Sequence, residues 1–389
     1  MATGFNPFVT SAPNSKIRAV FNKVDGRDEL VKFVLGEPNF DTAPNIIAAA
    51  EKALKTGHTH YVTNAGIMEL RQAISDKMQR DNGVYYDPET EIMVANGGTE
   101  AIWLSIQALV APGDEVIVPG PYWSPYPSLV KLMHATPVVV PMLEEDGFMY
   151  NIENLKKAVT SKTKMLILNS PCNPTGGVAD MQLLKDIADL AAERDFYVMS
   201  DEVYEKLVYD GNQHISFASL PGMKGRTITI NSFSKSYAMT GWRVGYVMAD
   251  SSIIKYCNKL HELEASCTNV PAQWGAVEAL TGDQSNVEFM VGEYTRRRRM
   301  IVDGLNAIKG ISCVAPKGTF YAFPNIKGAN MSSDEFCNRL IDEAGLVVIP
   351  GDAFGEYGEG YVRMSFAVSD DTIIEGLNRL DMFMNKLNI

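Results

Sequence analysis

The chain has 389 residues, 46% of them hydrophobic and 21% charged. At roughly 100–200 residues per domain this suffices for two or three well-cored units and excludes fibrous, collagen-like and broadly disordered classes. Its 35 Lys and Arg against 47 Asp and Glu give a net charge of -12, a field that repels nucleic acid and anionic lipid.

The opening stretch, MATGFNPFVTSAPNS, has no basic region followed by an apolar core, and no apolar run approaches the ~18–20 residues of a membrane span. A cytoplasmic protein without membrane partners is expected. The first forty residues are too few to fold alone and are expected to pack on a later unit. The five cysteines, Cys172, Cys257, Cys267, Cys313 and Cys337, are scattered, odd in number and free of CxxC spacing, so no disulfide frame and no metal site is expected. His58 and His60 lack nearby partners and read as loop histidines.

From about Pro44 helical stretches alternate with short β-branched runs: EIMVAN, DEVIVPG, TPVVVPML, KMLILNS, FYVMSDE, TITINSF and RVGYVMA. Buried strands separated by helices predict an α/β unit with a mostly parallel sheet between helices, over 41–285. After about residue 285 the rhythm changes. One long helix, NVEFMVGEYTRRRRMIVDGLNAI, precedes short strands ISCVAP, TFYAFPNI, LVVIPG and YVRMSFAVS, with helices around Glu335 and Leu377. This predicts a smaller α+β unit made of 1–40 and 286–389. The run Arg296-Arg297-Arg298-Arg299 points around most of a helix rather than along one stripe, and reads as a solvated or ion-paired surface.

Ligands of open α/β sheets bind beyond the carboxyl ends of the strands, so the residues after each strand carry the chemistry. After EIMVAN come Gly97-Gly98-Thr99-Glu100 and a helix, an arrangement that serves either as a phosphate cradle or as an ordinary helix start. After KMLILNS, two prolines and two glycines fix the turn from Ser170 to Gly177 and aim Asn173 outward. FYVMSDEVYEKL ends its strand at Asp201-Glu202, with Tyr204 three residues after Asp201; there a carboxylate is a helix cap unless other groups converge on it. The strongest cluster runs from Ile230 to Tyr237. Lys235 follows an apolar strand between Ser232, Ser234 and Ser236, with Arg243 eight positions on, combining an amine nucleophile with anion-binding groups that suit a phosphorylated carbonyl compound. The other reading of Lys235 is a surface lysine near a helix start.

Together SFSKSYAMTGWRVGY, NPTGG, LGEPNFDTAP and YVRMSFAVS, spanning Gly36 to Arg363, resemble the class I aminotransferases, pyridoxal 5'-phosphate enzymes of the aspartate and aromatic aminotransferase type. The resemblance implies a seven-stranded, mostly parallel sheet in the large domain. It also implies that Lys235 holds the cofactor as a Schiff base and then carries the proton between the substrate α-carbon and the cofactor. Asp201 would pair with the pyridinium nitrogen, Asn173 and Tyr204 with the ring oxygen, and Trp123 would stack on the ring. The phosphate would be held by Gly98, Thr99, Ser232 and Arg243, with Tyr61 reaching in from a second subunit and Asn269 lining the same side. A homodimer with composite sites follows. Arg363 would bind the substrate α-carboxylate beside the Gly36 amide and Asn173.

No arginine occurs between Arg243 and Arg296, where some dicarboxylate-specific relatives supply a second carboxylate clamp from the partner; the segment reads His261-Glu262-Leu263-Glu264. A lysine, or Arg18 near the N-terminus, could substitute, and Glu264 could favour a cationic substrate. The expected reaction is ping-pong transfer of the amino group of an L-amino acid, aspartate or aromatic by preference, to 2-oxoglutarate. A lyase of the same fold, eliminating at the β- or γ-carbon, would use the same groups. A cofactor-sensing regulator would need a DNA-binding module, for which the stretch before Gly36 is short and the acidic balance unsuited.

Overall fold

The structure, a computed structural model, describes residues 4, 5, 7–10 and 15–387. The outermost ends expected for the smaller unit, at 1–3 and 388–389, lie outside the described residues. Its strands are β1 (Val31–Lys32), β2 (Ile92–Ala95), β3 (Glu115–Gly120), β4 (Thr136–Pro141), β5 (Thr163–Asn169), β6 (Tyr197–Asp201), β7 (Thr227–Ser232), β8 (Gly245–Met248), β9 (Tyr321–Ala322), β10 (Leu346–Val347), β11 (Ile349–Pro350) and β12 (Val362–Ser365).

The seven apolar runs of the sequence form one sheet in the order β2-β8-β7-β6-β5-β3-β4. β8 runs antiparallel to both β2 and β7, and the other pairs are parallel. Because side chains alternate along a strand, Val116 and Val118 enter one apolar layer while Ile117 between them enters the other, and Met165 and Ile167 alternate likewise with Leu166 and Leu168. The helices Gly98–Leu109 and Ser251–Glu264 cover the first layer, and Met181–Arg194 covers the second. Each fully buried Ile or Leu contributes roughly 1.5–3 kcal/mol.

The remaining strands are short. β1 pairs parallel with β10, so the N-terminal segment is stitched to residues 346–347, while β11, β12 and β9 form an antiparallel sheet. The helices Ser285–Ala307, Ser333–Ala344 and Asp370–Lys386 pack on them around Phe336, Leu340, Ile373 and Phe383. The sequence overstates strand here. ISCVAP keeps only the bridge from Ser312 to Asn325, and TFYAFPNI pairs only at Tyr321–Ala322 apart from bridges at Asn325. Pro316 and Pro324 have no N–H to donate to a ladder.

The arginine run is ion-paired, but half of it is not on the surface. Arg296 meets Glu293 and Asp370, Arg297 meets Asp370, and Arg298 and Arg299 meet Asp210. Arg297 and Arg298 are buried, their aliphatic stems absorbed at the edge of the core.

Parallel register decides where the polar residues go. Asn169 stands beside Asp201, and Asp201 beside Ile230 just before Ser232, so β5, β6 and β7 deliver their carboxyl ends to one edge of the sheet.

Candidate active site

At that edge lies a cavity of about 520 Å³. Its lining brings together Gly36, Gly98, Thr99, Trp123, Asn173, Asp201, Tyr204, Ser232, Lys235, Arg243 and Arg363. Tyr61 does not line it; that ring is 86% exposed. Asn269 caps the helix Val270–Thr281, accepting from the Ala272 N–H at 3.0 Å, and is likewise exposed.

One end of the cavity is built for an anion. The helix Gly98–Leu109 points its free N–H groups there, beside the hydroxyls of Ser232 and Ser234, which lie 3.0 Å apart. Gly97 sits at φ +87, and a Cβ there would run into the Arg243 guanidinium. A Cβ on Gly245 would come within 2.6 Å of the Gly97–Gly98 backbone. Only glycines allow this close approach. Arg243 itself holds the left-handed region at φ 56, uncommon outside glycine, and donates to the carbonyls of Thr240 at 3.0 Å and Asn96 at 3.4 Å. Behind the turn Glu100 accepts from the Asn96 backbone N–H and side-chain amide and lies 3.4 Å from the buried His261.

Lys235 follows β7 in the short helix Phe233–Ser236. Its half-buried amine donates to the Gly36 carbonyl and lies 5.9 Å and 5.8 Å from the ring centres of Tyr204 and Phe320. Burial, with the Arg363 charge next, lowers its pKa to about 8. Asp201 is buried at the end of β6, accepting from the Tyr126 hydroxyl and, at 3.4 Å, from the Val203 N–H. Burial raises its pKa to about 6, with the Tyr126 hydrogen bond working in the opposite direction.

Arg363, on β12, is buried between aromatic rings, 4.3 Å from the Tyr321 centre and 4.9 Å from Phe354. It donates to Asn173 Oδ1 at 3.0 Å and to the Val34 carbonyl at 3.3 Å. Its Nε has no hydrogen-bond partner among the described residues. A buried guanidinium with an open donor suits a planar carboxylate.

Three residues of the site escape sequence reading. Tyr126 lies in the helix Pro125–Leu132, not at a strand end, though PGPYWSPYP already carried Trp123. Tyr321 shares a 3.0 Å hydrogen bond with the Tyr204 hydroxyl from 117 positions away. Asn169 accepts from the Asn173 N–H at 2.9 Å and donates to the Asp201 carbonyl at 3.2 Å, tying two strand ends together. Sequence reading also misses a cluster whose members Glu202 and Glu205 adjoin Asp201 and Tyr204 in the chain. Glu202, Glu205 and His214 converge within 4.8 Å, and the buried Lys77 meets Glu205. Against burial, which raises it, the Lys77 and His214 charges take Glu205 down to about 2.

These groups fit pyridoxal 5'-phosphate. The helix N-terminus, two serines and Arg243 suit a phosphate, Lys235 offers an amine of lowered pKa to an aldehyde, and Asp201 offers a buried carboxyl to a pyridine nitrogen.

Residues 28–380 match the family described as aminotransferase class I and II. The chain is 44% identical over 374 residues to an aspartate aminotransferase of Pyrococcus abyssi, covering 96% of each chain. It is 42% identical, with the same coverage, to aromatic-amino-acid aminotransferase 2 of Thermococcus litoralis. Its fold superposes on a Thermus thermophilus aspartate aminotransferase with maleate at a TM-score of 0.94, with 37% identity, covering 98% of this chain and 100% of that one.

Proposed function

Because the chain belongs to the class I and II aminotransferase family, it is a pyridoxal 5'-phosphate-dependent transaminase, and we propose that it moves the amino group of aspartate-like or aromatic L-amino acids to 2-oxoglutarate in alternating half-reactions. The observation that carries the reading is one cavity holding Lys235, Asp201, Arg363 and the anion cradle at Gly98, Thr99, Ser232 and Arg243.

In this reading the bound cofactor supplies an aldehyde for amino exchange and a ring that takes up the charge left when the substrate α-carbon loses its proton. Arg363, with Asn173 and Gly36 beside it, orients the substrate by its α-carboxylate. Lys235 takes and returns the proton at the α-carbon, a task matched to an amine whose pKa lies near 8. Asp201 holds a proton at the ring nitrogen; a cation placed against this buried carboxylate favours its ionised form. Tyr204, kept in place by Tyr321, and Asn173 serve the ring oxygen, and Trp123 covers a ring face. Arg243, Ser232, Gly98 and Thr99 grip the phosphate.

The assembly belongs to the same proposal. A tyrosine as exposed as Tyr61 is a natural contact for a second copy, and the resemblance gives it the neighbour's phosphate, making a homodimer with shared sites. The division into 41–285 and a unit of 1–40 with 286–389 is supported by the two sets of sheets. A cytoplasmic place in amino acid biosynthesis agrees with five cysteines that form no disulfide.

Incubating the enzyme with each amino acid and 2-oxoglutarate tests the reaction. Oxo acid and glutamate in equal amounts support transfer, whereas ammonia released without an acceptor would replace it with elimination.

A further inference from the structure

The anion cradle has a rear side, and Glu100 stands there. It is the third residue of the helix Gly98–Leu109 and does not line the cavity. Its side chain folds back, accepting from the Asn96 backbone N–H and, at 3.0 Å, from the Asn96 side-chain amide, much as the glutamate of a capping box does. The carbonyl of the same Asn96 accepts from Arg243 at 3.4 Å. Asn96 is therefore held by Glu100 on one side and by the cradle's guanidinium on the other, so the place of Glu100 sets the turn at Gly97 against which Arg243 packs.

A carboxylate in the first turn suits the helix dipole, but beside a site for an anion it adds negative charge where more is to be bound. His261 faces that charge. Its ring, in the last turn of Ser251–Glu264, is 0% exposed, with Nδ1 3.4 Å from Glu100 Oε2. Neither ring nitrogen completes a hydrogen bond among the described residues, although an imidazole carries at least one N–H. The seat is firm: Ile253, Ile254 and Cys257 of the same helix share an apolar layer with Leu104, and the Cys257 thiol meets the Leu104 carbonyl at 3.8 Å. Burial raises the Glu100 pKa, but the His261 contact and the Asn96 bonds outweigh it and leave the carboxyl below its usual range. Glu264, one turn beyond His261, is the second carboxylate facing the ring; burial, with the Glu100 charge next, raises its pKa against the pull of His261.

We propose that His261 is a positioning residue for the cofactor phosphate: paired with Glu100, it fixes the Asn96–Gly97 turn and offsets the carboxylate charge behind the cradle. The assignment rests on the reading that Gly98, Thr99, Ser232 and Arg243 hold the phosphate. Neither Glu100 nor His261 lines the cavity, so the effect passes through Asn96 and Arg243 and leaves the aldehyde and ring of the cofactor to Lys235 and Asp201. Binding of the phosphate should register a change at His261, and binding of the ring should not.

The test compares two probes, pyridoxal 5'-phosphate and pyridoxal, which share the aldehyde and ring and differ in the phosphate. Dissociation constants for both are measured on the full chain and its His261→Leu, His261→Gln and Glu100→Asp variants, and release of pyridoxal 5'-phosphate from each holoenzyme is followed on dilution. His261→Leu leaves the Glu100 carboxylate uncompensated. It should lower the ratio of phosphate-bearing to phosphate-free affinity roughly 10- to 100-fold, the loss expected for a hydrogen bond to a charged group, and quicken release by a similar factor. His261→Gln keeps an N–H for Glu100 and should fall between. Glu100→Asp withdraws the carboxylate by one methylene, leaves the helix Ser251–Glu264 intact and should lower the ratio about tenfold, which decides the matter even if the leucine variant does not fold. A ratio within twofold of the parent's in either His261→Leu or Glu100→Asp, equal losses of both probes included, would overturn the assignment. A parent ratio near one would mean instead that the cradle does not hold the phosphate, and both readings would fall together.

Discussion

Tyr126 donates its hydroxyl hydrogen bond to the Asp201 carboxylate, joining the helix Pro125–Leu132 to the end of β6 under the cavity. The bond favours the charged carboxylate and works against burial, which has already lifted Asp201 to about 6. Tyr126→Phe should therefore raise Asp201 further, so that activity on the acid side is lost at a higher pH. A loss of roughly 10-fold in kcat/KM near neutrality is expected for one charged hydrogen bond. The pH–rate profile checks both, and an acid limb that stays in place would contradict the link.

Asp201 also weighs on the stability of the cofactor-free protein. Its folded pKa of about 6 exceeds the unfolded value of 3.8, so the folded state binds the extra proton between these values. Stability then falls as pH rises through that window and stays lower above it. Asp201→Asn should stabilise the cofactor-free protein by about 2–3 kcal/mol at pH 7, with the gain shrinking toward pH 4, while transamination is lost. Denaturant melts at several pH values measure this. A variant equally stable or less stable at pH 7 would argue against a buried, strained carboxylate.

Lys235 shifts in the opposite sense. Its pKa is lowered to about 8, and only the neutral amine attacks an aldehyde. Capture of pyridoxal phosphate by the cofactor-free protein should quicken about tenfold per pH unit below about 8 and level off above it. Lys235→Ala should still bind the cofactor through the phosphate groups, reversibly and without turnover. Stopped-flow absorbance follows the capture, and a rate that continued to climb to pH 10 would mean an ordinary, solvated lysine.

Gly97 tests the anion cradle. At φ +87 an alanine is strained, and its Cβ collides with the Arg243 guanidinium. Gly97→Ala should weaken cofactor binding by roughly 100-fold through displacement of a charged donor. In an Arg243→Ala background the same change should cost much less, since the colliding group is gone. Fluorescence titration of the cofactor-free proteins gives the four dissociation constants, and equal losses in both backgrounds would separate the two residues.

What could be read in advance follows from where chemistry meets periodicity. Lys235, Asp201 and Asn173 come directly after apolar strands, and parallel register carries strand ends to one edge, so a linear pattern becomes a spatial cluster. Tyr126 and Tyr321 were invisible for the complementary reason. One lies in a helix and the other in a two-residue strand, and each meets its partner across more than seventy positions. Lys77 sits in MELRQAISDK, which reads as an ordinary polar helix, yet it is buried, its charge met by Glu205 from 128 positions away and by Asn82 at 2.8 Å. The two-residue strands β10 and β11, on either side of Val348, read as one run, since β10 pairs with β1 and β11 with β12, and a change of partner leaves the hydrophobic run unbroken.

The attachment of the cofactor to Lys235 is tested most directly by borohydride reduction of the holoenzyme followed by peptide mapping. Label confined to the peptide carrying Lys235 is the expected result. Label on another lysine, or none on that peptide from an enzyme that still exchanges amino groups, would contradict it.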